Sequence, residues 1–437
     1  MAVKIGSKIK GVIKRDGKVI FTTTREIFPF VAEEGHGDRV TDIEGNRFID
    51  FTSFVSVYTL GDDANAQIRN AAKKQMDKMM HAAFLDFYSE LPVRFAEKLV
   101  KMFPPGFGRV FFSNSGTEAV EDAIKLAKIF TKRSHLIAFY GAFHGRSLGS
   151  LALTESKTVH KAHFGPFVNV SHAPFPYPYR SHHPDDPDEC SKESIDFIEN
   201  NILGKEVPPE EVAAIFFEPI QGEGGYIVPP IGFFKQLKEL ADKHNFLLVD
   251  DEIQAGYLRA GKFLALDNFG VRADIYTMAK AIGGGLPLGA TVAHTSLGDT
   301  PAGSHAGTFG GNLVSVAAAN ASLDYVKRNM RSLQSKVKTK GEKIMKRLRE
   351  MEDRYELVGD VRGMGLMIAA ELVKSKRSKE YAVKERDKIL MECFNNGLLL
   401  LPTGKSAIRI IPPIPISDSD MDKGLDILEE AIKNNSK

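Results

Sequence analysis

Six short apolar runs, at 109–113, 136–140, 213–218, 246–251, 275–279 and 288–294, are separated by stretches long enough to hold helices. That alternation commits the chain to an α/β fold. The runs are nearly continuous in apolar residues, as in a mostly parallel sheet covered on both faces. Residues 117–130 and 232–245 have the helical periodicity expected of that cover. A proline-rich stretch, 175–187, reads as a long surface loop.

The texture changes after Asn312. Helices are expected over 313–329 and 332–355, then short strands at 357–362, 365–372, 398–401 and 407–411, and a closing helix over 417–433. Near the other end, Asp42-Ile43-Glu44-Gly45-Asn46 between apolar residues reads as a hairpin turn. We therefore expect a large domain over 66–325 and a small α+β domain built from both termini, 1–65 and 326–437. A chain of 437 residues accommodates such a division.

Composition narrows the functional classes. A net charge of +2 gives no overall field for nucleic acid or a membrane surface. No apolar run approaches the roughly 20 residues a membrane helix needs. Residues 1–8 carry lysines without an apolar core behind them, so no secretory signal is expected. Cys190 and Cys393 lie far apart with no metal-ligand spacing. The expectation is a cytoplasmic protein with small-molecule substrates and no bound metal.

The residues that carry chemistry sit at the ends of the apolar runs. Lys280 follows one run and precedes Gly283-Gly284-Gly285, a setting that allows close approach of a ligand. Leu247-Leu248-Val249 ends in Asp250-Asp251-Glu252-Ile253-Gln254. A lysine able to form a Schiff base and an acid able to pair with a pyridinium nitrogen are the requirements of pyridoxal phosphate chemistry. Ser115-Gly116-Thr117-Glu118 ends a strand and opens a helix, which is either an anion site or a plain helix cap. Phe143-His144 offers an aromatic face for a planar ring, or a core phenylalanine beside a loop histidine. Glu218 and Glu223 lie in a second strand end rich in glycine, where they line a site or are solvated turn acids. Arg409 is the one charge in an apolar strand and asks for a carboxylate, from a substrate or from the protein. Thr308 lies in a glycine-rich segment ahead of a helix, as a phosphate donor or part of a plain connection.

Together these motifs resemble, over nearly the whole chain, the class III (subgroup II) aminotransferases of fold type I, the group of 4-aminobutyrate, ornithine and acetylornithine aminotransferases. The resemblance rests on Ser115-Gly116-Thr117-Glu118-Ala119, Glu218-Pro219-Ile220-Gln221-Gly222-Glu223-Gly224-Gly225, Asp251-Glu252-Ile253-Gln254, Lys280 and Gly307-Thr308-Phe309, in the family's order. It implies pyridoxal 5′-phosphate as cofactor, carried by Lys280, which would also shuttle the proton. It implies that Asp251 meets the ring nitrogen, Gln254 the phenolic oxygen, Gly116 and Thr117 the phosphate, and Phe143 the ring, with His144 beside it. Thr308 would reach the phosphate of the partner subunit, so a homodimer, alone or paired into a tetramer, is implied. Arg409 would hold the α-carboxylate of the 2-oxo acid, Glu223 would neutralise it for ω-amino substrates, and Glu218 would be another pocket acid. The implied reaction is ping-pong transfer from an amino acid or ω-amino acid, such as 4-aminobutyrate or ornithine, to 2-oxoglutarate. A racemase on the same fold and a non-catalytic dimeric binding protein are the alternatives.

The chain departs from the family at three places. Gly61-Asp62-Asp63-Ala64-Asn65 stands where Gly-His-x-His-Pro is usual, and Ala255-Gly256-Tyr257-Leu258-Arg259 where Thr-Gly-x-Gly-Arg is usual. Phe54 is bulkier than usual, and Val55, aligned with the ornithine enzymes' pocket tyrosine, has no hydroxyl.

Overall fold

The computed structural model describes residues 3–22, 28–165 and 168–436, so the first two positions of the lysine-bearing N-terminus lie outside it. Fifteen strands form three sheets among the described residues. The N-terminal strands β1 (Ala32–His36), β2 (Arg39–Asp42) and β3 (Arg47–Asp50) are antiparallel neighbours. The turn between β2 and β3 is held by Asp42, whose Oδ1 accepts from the N–H groups of Glu44 and Asn46, each at 2.9 Å.

The central sheet contains β4 (Phe107–Ser113), β5 (His135–Phe139), β6 (Val170–Ala173), β7 (Val212–Phe217), β8 (Leu247–Asp251), β9 (Ile275–Met278) and β10 (Gly289–His294). Their order is β4-β10-β9-β8-β7-β5-β6, with β10 antiparallel to both neighbours and the remaining pairs parallel. Every residue of β7 and β9 is buried, as expected of strands covered on both faces. The six strands expected from the sequence are all here. The seventh, β6, is only four residues long and includes Ser171 and His172, too short and too polar to stand out as an apolar run.

The third sheet combines β11 (Val358–Met364), β12 (Met367–Leu372), β14 (Leu401–Thr403) and β15 (Ala407–Ile410) in the order β11-β12-β15-β14. Strand β13 (Leu398–Leu399) leaves this group and pairs in parallel with Ile49 and Asp50 of β3. The two ends of the chain are thereby joined, and the fold is the α/β type expected.

Two expectations need correction. The pair of helices expected at 313–329 and 332–355 is one 42-residue helix, Leu313–Arg354, continuous through residues 325–326. Asn329-Met330-Arg331-Ser332 contains neither glycine nor proline, and Leu323, Val326, Leu333, Val337, Ile344 and Leu348 keep one face buried throughout. Gly341 in this helix passes so close to the turn after β11 that a Cβ would lie 2.2 Å from the Gly365 oxygen. The proline-rich stretch is a surface loop only in its second half, where residues 182–187 are exposed; its first half is tied to the small sheet. Tyr177 donates to Glu371 of β12, and Arg180 holds the same carboxylate at 2.8 Å through Nε.

Candidate active site

The parallel strands deliver their chemistry at one edge. Asp251 closes β8, Lys280 stands two residues beyond β9, Glu218 follows β7, Phe143 follows β5, and Gly116 begins the helix after β4. This is the carboxyl end of the sheet, where α/β folds bind ligands. A cavity of about 500 Å³ opens there, lined by Gly116, Thr117, Phe143, His144, Glu218, Asp251, Gln254 and Lys280. Val57, Ile253 and Leu286 supply apolar wall.

Asp251 is fixed from behind. Its Oδ2 lies 2.7 Å from His144 Nδ1, and its Oδ1 accepts from the Ile253 N–H at 3.1 Å. Burial alone would lower the His144 pKa, but the bond to Asp251 and the charges of Asp251 and Glu218 raise it above its ordinary value. His144 thus helps keep the carboxylate in place. Glu218 accepts from the N–H groups of Phe143, at 3.0 Å, and Gly222, at 2.9 Å. Burial, reinforced by the Asp251 charge, pushes its pKa up to about 7.

Lys280 has a backbone φ of 49°, in the left-handed region that bulky residues avoid. No hydrogen-bond or ion-pair partner is found for its amine among the described residues. Burial lowers its pKa, while Asp251, Glu223 and Glu218 oppose the shift. A depressed pKa leaves more of the amine unprotonated, which is what a Schiff-base nucleophile needs.

The phosphate end is made from backbone. The helix Gly116–Thr131 is capped by Ser115, whose hydroxyl accepts from the Glu118 N–H at 3.3 Å. The N–H groups of Gly116 and Thr117 remain open, as first-turn donors do. The Thr117 hydroxyl is already occupied by Ser147 and Ser150, at 2.7 and 2.5 Å, and accepts from the N–H groups of Arg146 and Ser147. Its contribution to an anion is therefore its N–H, while its hydroxyl ties down the loop that carries Phe143. Gly145 makes that closeness possible, since a Cβ there would lie 2.3 Å from the Thr117 oxygen.

Several residues support the site in ways the sequence does not announce. Tyr226, fully buried with φ 55°, donates from its hydroxyl to Gln254 Oε1 at 2.8 Å. That fixes the amide so its NH₂ side is left to donate elsewhere. Arg259, also fully buried, donates to Ser53, Ser56 and Thr59 hydroxyls and to the Leu366 and Pro412 carbonyls. Those serines bracket a turn in which Ser53, Phe54, Val55 and Ser56 all have positive φ. Left-handed turns cost roughly 1–2 kcal/mol per residue, so this one needs such a clamp. Arginine was visible in the sequence; only the fold shows what it holds. Val55 itself does not line the cavity, whereas Val57, two residues on, does. The backbone at Gly61 opens the helix Gly61–Lys78, and the Asp62 and Asp63 side chains fall outside the described part.

Glu223 and Arg409 meet at 2.8 Å, between Oε1 and Nη1, near enough to Lys280 for both charges to act on its amine. Burial would lift the Glu223 pKa, but Arg409 and Lys157 hold it down at about 2. Thr308 stands apart from this cavity, exposed in the segment before Asn312. His305 anchors that segment through Nε2 to Asp122, at 2.5 Å, and stacks on Phe111.

Comparison with known proteins agrees with this architecture. Residues 20–432 match the family model described as aminotransferase class-III. An alanine/serine racemase of Pyrococcus horikoshii is 36% identical over 98% of this chain and 91% of its own length. A probable 4-aminobutyrate aminotransferase of Bacillus subtilis is 34% identical over 92% of this chain and 93% of its own. The structure of taurine:2-oxoglutarate aminotransferase from Bifidobacterium kashiwanohense, in complex with pyridoxal phosphate and glutamate, superimposes with a TM-score of 0.90 at 26% identity, covering 97% of both chains.

The cavity suits that cofactor on its own evidence: an unpartnered lysine, a carboxylate braced by a buried histidine, and two open N–H groups at a helix start. The chain belongs to the class III aminotransferases, and it is a pyridoxal-phosphate-dependent enzyme of that family.

Proposed function

We propose that the enzyme takes the amino group of an ω-amino acid, with 4-aminobutyrate and ornithine as model donors, and passes it to a 2-oxo acid such as 2-oxoglutarate in ping-pong order. The observation that carries this reading is the Glu223–Arg409 bond beside Lys280. Closed, the pair presents no net charge to a donor whose reacting carbon lacks a carboxylate. Opened, it offers a guanidinium able to grip the acceptor's carboxylate with two hydrogen bonds.

Bound pyridoxal phosphate supplies an electron sink for the bond broken at the substrate carbon. Asp251, braced by His144, would meet the ring nitrogen. Gln254, oriented by Tyr226, would present N–H groups toward the phenolic oxygen. Gly116 and Thr117 would hold the phosphate through their N–H groups. Lys280 would carry the cofactor between turnovers and move the proton between substrate and cofactor. Thr308, exposed on this chain, would complete the phosphate site of a partner subunit in a homodimer. Two unpaired buried cysteines fit the reducing cytoplasm as the place of action.

Racemisation is the second reading, favoured by the 36% identity to the Pyrococcus racemase. The two part cleanly in one experiment. Holoenzyme incubated with 4-aminobutyrate or ornithine and 2-oxoglutarate is expected to form glutamate in step with donor loss. Loss of optical rotation from L-leucine or L-alanine without any 2-oxo acid, and no glutamate, would replace transfer by racemisation.

A further inference from the structure

Glu223 has a second cation. Its Oε1 takes Arg409 Nη1 at 2.8 Å, while its Oε2 lies 3.5 Å from Lys157 Nζ. One carboxylate is thus shared between two cations that come from different parts of the chain. Lys157 lies just ahead of the short turn Thr158–His160, and Arg409 lies in β15, paired on both sides by β12 and β14. The side chains grade outward, with Arg409 8% exposed, Glu223 17% and Lys157 38%.

The backbone around Glu223 is pinned. The Gly404 N–H donates to the Glu223 carbonyl at 3.0 Å, Thr403 donates to Gly222 O at 2.7 Å, and Arg362 donates to Gly225 O at 2.6 Å. Only side-chain rotation can move the carboxylate. Arg409 is equally constrained, and its buried Nε has no partner among the described residues. When a substrate carboxylate takes this guanidinium, Glu223 must leave it. A partly buried carboxylate left without a cation is costly. Lys157 is already in place on the solvent side to receive it.

We propose that Lys157 is a specificity-determining residue, the alternative partner that takes Glu223 when an acceptor carboxylate occupies Arg409. The inference rests on reading Arg409 as the carboxylate clamp. With Lys157 present, Glu223 keeps a cation when the clamp opens. Without it, the acceptor has to compete with Glu223 for a single cation, and the site favours donors without a carboxylate at the reacting carbon.

The test is calorimetric titration of the holoenzyme with glutarate, an unreactive dicarboxylate. Affinity is compared in wild type, Lys157→Met, Lys157→Arg, Glu223→Gln and the Lys157→Met/Glu223→Gln double variant, with Arg409→Ala as reference. We expect Lys157→Met to weaken glutarate by about 3–10-fold, the range of coupling between neighbouring charged groups, and Lys157→Arg to keep wild-type affinity. In the Glu223→Gln background the Lys157→Met loss should vanish. An undiminished loss in that background would mean that Lys157 attracts the anion directly, and wild-type affinity in Lys157→Met would mean that it has no part; either overturns the proposal. If Arg409→Ala binds glutarate as wild type does, the clamp reading itself fails and takes this inference with it. A weakened Arg409→Ala beside an unaffected Lys157→Met sinks the inference alone.

Discussion

Asp251, His144, Glu218 and Gln254 are each less than a tenth exposed and are held by hydrogen bonds from within one chain, whereas Glu223 and Lys157 are progressively more open and held by ion pairs. The first group lines the cavity together with Lys280, and we read it as the wall for the cofactor ring; the second, with Arg409, is a neighbouring charge cluster outside that lining, which we read as a gate. Buried hydrogen bonds have strict geometry and leave expensive orphans when broken, so they suit a group that must stay in one orientation through the whole cycle. An ion pair demands less exact geometry, and a carboxylate shared between two cations can give one up to a substrate without being left bare, which suits a site that must accept two different substrates in turn. On this reading, the wall fixes the chemistry and the gate selects what undergoes it.

The largest expected effect falls on the wall's reactive member. Lys280→Ala should lower kcat by more than about 10⁴-fold, because nucleophile and proton carrier are lost together; residual turnover near wild type would remove Lys280 from both roles. Next is the scaffold of the strained turn. Arg259→Met should destabilise the protein by about 3–5 kcal/mol in chemical denaturation, since five oxygen acceptors lose a buried donor at once. A loss within ~1 kcal/mol would show that the turn carries no such load.

On the gate side, Arg409→Ala should raise the KM for 2-oxoglutarate by roughly 10–100-fold, the value of a lost bidentate carboxylate contact of about 1.5–3 kcal/mol. Comparable losses for every donor and acceptor would erase the distinction between gate and wall. The smallest effect concerns Asp250, behind Asp251. Neither of its oxygens has an N–H or hydroxyl donor among the described residues, and its neighbour Glu252 is likewise buried. Burial raises both carboxyls above their unfolded values, Glu252 to about 7. A raised carboxyl pKa stabilises the fold below its unfolded value and loses that contribution as pH rises through the folded one. Wild type should therefore lose stability between about pH 4.5 and pH 7, and Asp250→Asn should flatten that loss by ~1–2 kcal/mol. Parallel stability profiles would show that the pair shares no proton.

The wall was largely legible in the sequence because its parts stand at strand ends. Asp251 and Lys280 each follow an apolar run, and polarity changes abruptly there. What could not be read was what braces them. Nothing adjacent to His144 in sequence foretells Asp251, which is more than a hundred residues away. Tyr226 looks like any core aromatic until its hydroxyl is found on Gln254. The gate was half legible. A lone arginine in an apolar strand announced a carboxylate, but Lys157, one of many lysines, is distinguished only by its distance to Glu223. In the fold, β6 is too short and polar to stand out as an apolar run, and residues 329–332 contain nothing that breaks the long helix.

The most direct test of the account is the visible absorption of the protein loaded with pyridoxal phosphate. On addition of 4-aminobutyrate or ornithine, the account predicts that the visible band is lost in favour of near-ultraviolet absorption and that 2-oxoglutarate restores it. A band that stays unchanged with these donors, while L-leucine loses its optical rotation, would contradict it.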